Sequence, residues 1–497
     1  MRAVALLLAT SLLGCSAAPA LRQPQLGVPV PAHWTTERGV EGVKRAVDRV
    51  WWKDFDDPAL SKVIEEALRA NHDLEAASAR VAAASASARI AGADALPAAN
   101  LSFNGSRAQR TFIGFPFGVA GGGGGGSSAP AQRTVISSRS NQFGVALDVS
   151  WELDLWGRVR AGRKAAVGDL QAARADLAAA RVSIAAQTAK AWFGAVEAER
   201  QLELARRTAA SYRGSLNRVD ERYRLGLSSA LDVRLARTEL HREEAVVERR
   251  NSNLDRARRQ LEILLGRYPA REVETSDRLA QPVGAVPAGL PARLLVRRPD
   301  LSAAERRLAA AGARVYAARA ALLPRISLTG SYGTSSAELS QVLDQKLDVW
   351  TIAGNLLQPV FQGGRLRAQV DLARAREKEL LADYASSTLR AFAEVESLLA
   401  DEGYLARRTQ ALAAAAENAR ASRQLSEERY QKGLEDYTTV LSAQRSAFDA
   451  QSALLQARRE RIDTRVDLYL ALGGGFSREQ LFGDASSPVT KTAGGSS

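Results

Sequence analysis

Gln142-Phe143-Gly144-Val145-Ala146-Leu147-Asp148-Val149-Ser150-Trp151-Glu152-Leu153 alternates without a slip between small or polar residues and apolar ones. A period of two puts Phe143, Val145, Leu147, Val149, Trp151 and Leu153 on one face of a β-strand, and the polar set on the other. Two later stretches read the same way. Ile326, Leu328 and Tyr332 alternate with Ser327, Thr329 and Ser331, while Trp350 and Ile352 alternate with Thr351 and Ala353. The spacing predicts two β-hairpins, one over about 99–154 with its loop at 111–139, the other over about 325–361 with its loop at 334–348.

The text around these strands is helical. Alanine-rich sequence from Leu74 to Leu96 stops at Pro97, which cannot continue a helix. Long helical stretches follow each hairpin, each divided by one glycine, Gly226 and Gly433. Leu170, Leu177 and Ile184 are seven apart, as are Leu240, Val247, Leu254 and Leu261, and again Leu441, Phe448, Leu455, Ile462 and Tyr469. Heptads of this length are coiled-coil text, and an arm of about 60 residues reaches about 90 Å.

The two halves are one unit written twice. Asn71-His72-Asp73-Leu74 and Pro97 align with Arg298-Pro299-Asp300-Leu301 and Pro324 at an offset of 227. Trp156-Gly157-Arg158, Glu221-Arg222-Tyr223, Gly226-Leu227 and Gly266 align with Gly363-Gly364-Arg365, Glu428-Arg429-Tyr430, Gly433-Leu434 and Gly473 at an offset of 207. The first copy thus carries 20 extra residues, among them the Gly121–Gly126 run, which lacks the Gly-Lys-Ser/Thr of a phosphate loop and reads as an exposed insertion. The implied organisation is a signal peptide (1–14), an N-terminal segment (15–58), a first repeat (59–270), a second repeat (271–475) and a C-terminal tail (476–497).

Composition narrows the function. The chain has 497 residues, 46% apolar and 6% aromatic, too apolar for disorder and too poor in aromatics for an all-β sandwich. One cysteine and three scattered histidines (His33, His72, His241) leave no disulfide framework, no metal site and no histidine-based triad, so no enzyme and no cofactor are expected. The net charge of +13 suggests a nucleic-acid binder. Against it, cations and anions alternate along the helices, as in Arg242-Glu243-Glu244 and Glu248-Arg249-Arg250, like a solvated face.

Residues 2–15 set the compartment. Arg2 precedes eleven apolar or small residues, too few to span a bilayer, and Leu12-Leu13-Gly14 leads into Cys15, the only cysteine. This reads as a lipoprotein signal with Cys15 as the acylated, palmitate-bearing N-terminus, and Ser16 after it fits an outer-membrane destination. Four strands per chain cannot close a barrel, since the smallest membrane barrels have about eight. Strands with an apolar outer face and open edges are excluded from hydrocarbon, so several chains must share one barrel. The fold class is therefore α+β: a multi-chain β-barrel continuous with a long α-helical coiled-coil barrel.

At this point the sequence resembles the TolC-type outer-membrane factors, specifically the lipoprotein branch serving tripartite efflux pumps. The likeness rests on Trp52-Lys53-Asp54-Phe55 with Asp57-Pro58-Ala59-Leu60, on Trp151-Glu152-Leu153-Asp154-Leu155-Trp156-Gly157-Arg158, on Gly289-Leu290-Pro291 with Leu294-Leu295-Val296-Arg297-Arg298-Pro299-Asp300, on Gln358-Pro359-Val360-Phe361-Gln362-Gly363-Gly364-Arg365, and on Ala443-Gln444-Arg445. It implies a homotrimer with a twelve-stranded outer-membrane barrel and a periplasmic helical barrel. It also implies a periplasmic adaptor and an inner-membrane transporter of the resistance-nodulation-division type as partners, outer-membrane lipid around the strands, multidrug or toxic-solute efflux, and no chemistry. The closest rival is a duct of a type I protein secretion system; Cys15 and Arg297-Arg298-Pro299-Asp300 favour the efflux branch.

The resemblance further places a periplasmic gate at the two glycine turns. Tyr223 and Tyr430 each precede their glycine, Gly226 and Gly433, by three residues. Asp232 and Tyr430 match positions whose hydrogen bonds hold the family's tip closed. Glu435 stands where the best-known member has a clamping arginine, and Thr439 and Ser442 where it has the aspartates of a constriction ring, with Asp436 close by. The alternative for Asp232 is a favourable helix start and no more.

Overall fold

The computed structural model describes Pro31, Trp34, Thr35, 50–113, 135–280, Val286, Gly289 and 291–476. Cys15, the 1–14 leader, the Gly121–Gly126 run and the tail beyond 476 lie outside the described residues. In chain order come a 3₁₀ turn (Trp51–Phe55), α1 (Pro58–Ala70), α2 (His72–Ala93), β1 (Ala98–Ile113), β2 (Val135–Leu153), α3 (Arg158–Arg224) and α4 (Ala230–Leu264). There follow α5 (Pro291–Arg297), α6 (Pro299–Ala320), β3 (Arg325–Ser336), β4 (Asp348–Leu357), α7 (Arg365–Gln431) and α8 (Tyr437–Ala471). Element lengths recur: α3 and α7 have 67 residues each, α4 and α8 have 35 each. Among the described residues no helix is long and apolar enough to cross a membrane.

The chain divides into two compact units, and the first, from 87–166 and 311–377, holds the sheet. Its four strands lie in the order β1-β2-β3-β4, all antiparallel, so among the described residues β1 and β4 each keep one free edge. The β1–β2 register is continuous from Ala98↔Ser150 to Ile113↔Val135. The pairing therefore runs on through Arg107–Ile113 and Val135–Asn141, partly into the stretch the sequence assigned to the loop. Those residues carry no apolar alternation, and the ladder of backbone hydrogen bonds extends the strands there regardless of side chains.

Each face of this sheet has one character. Leu101, Leu147, Tyr332 and Trp350 stand in one cross-strand row, and Trp151 pairs with Leu328. This face is apolar and open: Leu101 is 76%, Trp350 69% and Ile352 78% exposed, far from a core. On the other face Asn100, Asp148, Ser331 and Thr351 form one row, and the Ser102 hydroxyl donates to Asp148 at 2.7 Å. An exposed apolar face of this extent marks an interaction with membrane or protein. At the helix-bearing end the indoles of Trp151 and Trp156 donate to the Ala95 and Pro324 carbonyls at 3.0 and 2.7 Å. Asp154 accepts the N–H groups of Val159 and Arg160 and so starts α3.

The second unit, from 21–86, 167–310 and 378–497, is helical. Trp51 stacks on Tyr469 with ring centres 5.2 Å apart, and Phe55 meets Phe193 at the same distance. Asp57 caps α1 through the N–H groups of Ala59 and Leu60, and also accepts from the Trp192 indole and Ser276. The two halves close their helical arms alike. Asn71 donates to the Leu264 carbonyl at the end of α4, and Arg298 to the Ala471 carbonyl at the end of α8, while also pairing with Asp300 and Glu394. Past α4, the buried Glu262 carboxylate accepts the backbone N–H groups of Arg271, Glu272 and Val273 and fixes that loop.

Candidate functional site

The two reversals of the helical arms are alike in backbone and unlike in side chains. Gly226 (φ 70°) donates its N–H to the Tyr223 carbonyl at 2.9 Å, and Leu227 donates to Arg222 at 2.8 Å. Gly433 (φ 74°) and Leu434 repeat this with Tyr430 and Arg429 at 3.0 and 2.9 Å. Both close a helix by the Schellman pattern, for which a left-handed residue is needed. A Cβ would meet open space at either glycine, so conformation and not packing selects glycine here.

The next helices start differently. Ser229 caps α4 by accepting from the Asp232 N–H at 3.1 Å, and the Asp232 carboxylate accepts in return from the Ser229 N–H at 3.0 Å and the Ser228 hydroxyl at 2.8 Å. This is a complete capping box. Asp436 begins α8 without a side-chain cap bond. Burial alone would raise the Asp232 pKa, but the bonds from the Ser229 N–H and the Ser228 and Ser229 side chains outweigh it and leave it below the ordinary carboxylate value. A depressed native pKa means the cap is fully effective above about pH 4 and fades as pH falls through the depressed value. A cap contributes about 1 kcal/mol. Protection of the first-turn amides of α4 against hydrogen exchange should accordingly drop severalfold on acidification, and Asp232→Asn should remove that pH step.

Between the turns lies a small core of Tyr212, Val219, Val233, Ala236, Leu240, Tyr430, Tyr437, Val440 and Leu441. Tyr430 meets Tyr437 at 5.6 Å, and the Arg222 guanidinium sits 5.0 Å over the Tyr430 ring while reaching the Gln431 carbonyl at 3.5 Å. Burial pushes the phenols of Tyr212 and Tyr437 well above their ordinary pKa. The hydroxyls of Tyr430 and Tyr437 are buried and have no hydrogen-bond partner among the described residues. Both tyrosines line a void of about 10 Å³ with Ser215, Arg218, Glu427 and Val440, the size of a single water.

Polar ties cross from α8 to each of the other three long helices. Gln444, fully buried, donates to Ser215 of α3 at 3.0 Å and to Glu427 of α7 at 2.9 Å. Arg445 forms a two-point pair with Glu239 of α4, whose carboxylate is 4% exposed as a residue and has Arg242 at 3.7 Å as its second cation. Further along, Ser452 bonds Gln201 at 2.9 Å.

The sequence-derived site residues are thus only partly brought together. Tyr430 is buried, while its counterpart Tyr223 is 47% exposed. Within the chain Asp232 and Tyr430 are not bonded to each other: the carboxylate is held by the two serines, and the phenol faces the void. Glu435 pairs with Arg429 at 3.3 Å, and Thr439 and Ser442 are exposed on the first turns of α8. Among the described residues no group of His, Cys, Asp and Glu could hold a metal ion. Tyr437, Gln444 and the Glu239–Arg445 pair were not singled out from sequence; the one signal was the Ala443-Gln444-Arg445 stretch.

Long helical arms reversing at glycine turns, together with a four-stranded sheet of one apolar face, define an outer-membrane efflux channel. The family described as outer membrane efflux protein matches residues 63–267 and 290–474, and the chain belongs to that family. It is 34% identical over 480 residues to the toluene efflux pump outer membrane protein TtgF of Pseudomonas putida, covering 94% of this chain and 96% of the relative. It is 35% identical over 475 residues to the outer membrane protein OprJ of Pseudomonas aeruginosa, covering 95% of each. Among solved structures, the outer-membrane channel OprN superposes with a TM-score of 0.81 at 30% identity over 93% of this chain and 99% of that one. The Campylobacter jejuni CmeC outer membrane channel does so at 0.84, with 26% identity, over 93% and 96%. The chain is the outer-membrane component of an efflux pump, reaching into the periplasm of a Gram-negative cell.

Proposed function

We propose that three copies of this chain close a twelve-stranded barrel in the outer membrane and continue it as an α-helical duct across the periplasm. The observation that carries this is the sheet: four strands, one exposed apolar face, one polar face and two free edges. A free edge in hydrocarbon leaves backbone groups unpaired at several kcal/mol each, and pairing β1 of one copy with β4 of the next removes every edge. The duct takes its cargo from an inner-membrane transporter of the resistance-nodulation-division type through a periplasmic adaptor. Relatives named for toluene, solvent and pyoverdine export point to organic solutes as cargo. Cys15 is the acylated N-terminus. The two repeats, 59–270 and 271–475, supply one hairpin and one helical pair each.

The glycine turns form the periplasmic tip and gate it. Asp232 acts by fixing the start of α4, and Tyr430 acts through its ring, which packs under Arg222 and against Tyr437, holding the two helical pairs together. Asp232→Ala combined with Tyr430→Ala is expected to raise conductance in planar bilayers severalfold and to admit bulky antibiotics to cells, with the assembled protein still present in the membrane. Conductance equal to the parent's would put the gate elsewhere.

A further inference from the structure

We infer that Arg107 and Arg139 form a binding site for the phosphate groups of outer-leaflet glycolipid, on the lipid-facing side of the first hairpin. The inference rests on the sheet lying in the membrane with its helix-bearing end toward the periplasm.

The apolar face sets the geometry. On β2 it runs from Leu153 to Phe143, about 33 Å along the strand, or about 25 Å of height at the usual barrel tilt, the thickness of an outer-membrane apolar band. The face does not end there. Because the β1–β2 register has no slip, the same side continues through the pairs Gly105↔Phe143, Arg107↔Asn141 and Gln109↔Arg139. Two contacts fix this side: a Cβ on Gly105 would touch the Phe143 ring at 3.4 Å, and the Arg139 Nε donates to the Gln109 amide oxygen at 2.9 Å. Arg107 and Arg139 are therefore diagonal neighbours on adjacent strands, both exposed, one to two pairs beyond the last apolar row. That is the level of lipid headgroups.

The local sequence of the hairpin is one-sided in charge. Between Asp94 and Asp148 the sequence has no Asp or Glu at all, but it has Arg107, Arg110, Arg133 and Arg139. The carboxylates of this hairpin, Asp148 and Glu152, lie on the opposite face toward the helix-bearing end, and the adjoining hairpin brings Glu338 two residues past Ser336, the partner of Phe143. Many arginines on the helices pair with acids, as Arg213 does with Glu244 and Arg408 with Glu460. Two forked guanidiniums some 5–8 Å apart on a pleated surface suit a phosphate, which accepts two parallel N–H bonds from each. Phosphorylated lipid, and not a free anion, is the occupant because the site adjoins an apolar surface that acyl chains must cover.

The test uses the full, assembled protein in detergent and two probes, diphosphoryl lipid A and the same lipid stripped of phosphate. Arg107→Gln with Arg139→Gln should bind diphosphoryl lipid A at least about fivefold more weakly than the parent, read by native mass spectrometry. Both proteins should bind the dephosphorylated lipid alike. Arg110→Gln, on the opposite face, should leave binding unchanged, and Arg107→Lys with Arg139→Lys, which keeps charge and loses the fork, should fall between. Unchanged affinity of the double Gln variant overturns the site. So does competition by inorganic phosphate at equal affinity, which would mean a free-anion site. Weaker association of the copies with unaltered lipid binding also overturns it, because the arginines would then pair with acids of a neighbouring copy. Failure of the membrane reading is separable: it would appear as insertion unharmed by charge in the middle of the apolar face, whatever the lipid result.

Discussion

Leu147→Arg is expected to remove the assembled protein from the outer membrane. Leu147 occupies the middle of the apolar face, with Leu101 beside it on β1 and Tyr332 on β3, and it is 46% exposed within the chain. A lipid-facing arginine at midplane costs about 2–4 kcal/mol. In the proposed three-copy barrel this cost is tripled, which exceeds the margin of most folded assemblies. The adjacent Ala146 points to the polar face, in the row of Ser102 and Gly333. Ala146→Arg should therefore insert, and show itself as reduced conductance. The readout is the amount of heat-resistant assembled protein in the outer-membrane fraction. Equal tolerance of both substitutions would mean that the apolar face packs against protein.

The second large effect is expected at Glu239 and Arg445. Arg445→Ala leaves the buried Glu239 carboxylate with Arg242 at 3.7 Å as its remaining cation, and losing one partner of a buried carboxylate costs up to about 3 kcal/mol. Glu239→Gln with Arg445→Met removes charge and cation together and should recover most of the lost stability. The single variant should lower the denaturant midpoint clearly, and the double variant should lie near the parent. If the two changes are additive, Arg445 is a surface residue with no coupling to Glu239.

Much of this protein is legible in its residues, and the limit has a physical cause. The alternation from Gln142 to Leu153 marks β2 because one face is apolar and the other polar, so side chains report the pleat. It says nothing of Arg107–Ile113 or Val135–Asn141, where no apolar alternation reports the pleat and the backbone ladder carries the pairing. The family, the outer-membrane placement and the role in efflux follow from stretches such as Arg298-Pro299-Asp300, whose residues serve particular contacts: Arg298 donates to the Ala471 carbonyl at the end of α8. The turn region is less legible. Gly226 and Gly433 announce a left-handed residue, and Ser229 with Asp232 announces a capping box. The partners of Tyr430 do not follow from any local pattern. Nor do Gln444 and Ser215, 229 residues apart, since each is unremarkable in its own heptad and the pair exists only once the arms are packed.

The free edges of β1 and β4 have a consequence for biogenesis. Among the described residues a single chain presents a ladder on each side that lipid cannot satisfy, so under the proposed assembly no chain would enter the bilayer ahead of its partners. In the proposed three-copy barrel, encounter of the chains would precede or accompany insertion, and the rate of appearance in the membrane would carry a high kinetic order in the pool of exported chains. Where encounter is limiting, halving synthesis would cut the initial assembly rate by about eightfold, in the way concentration governs any obligate oligomer. Cells that make little of this protein would hold most of it as unassembled periplasmic chains, open to proteolysis, and would gain channels abruptly once synthesis passes a threshold.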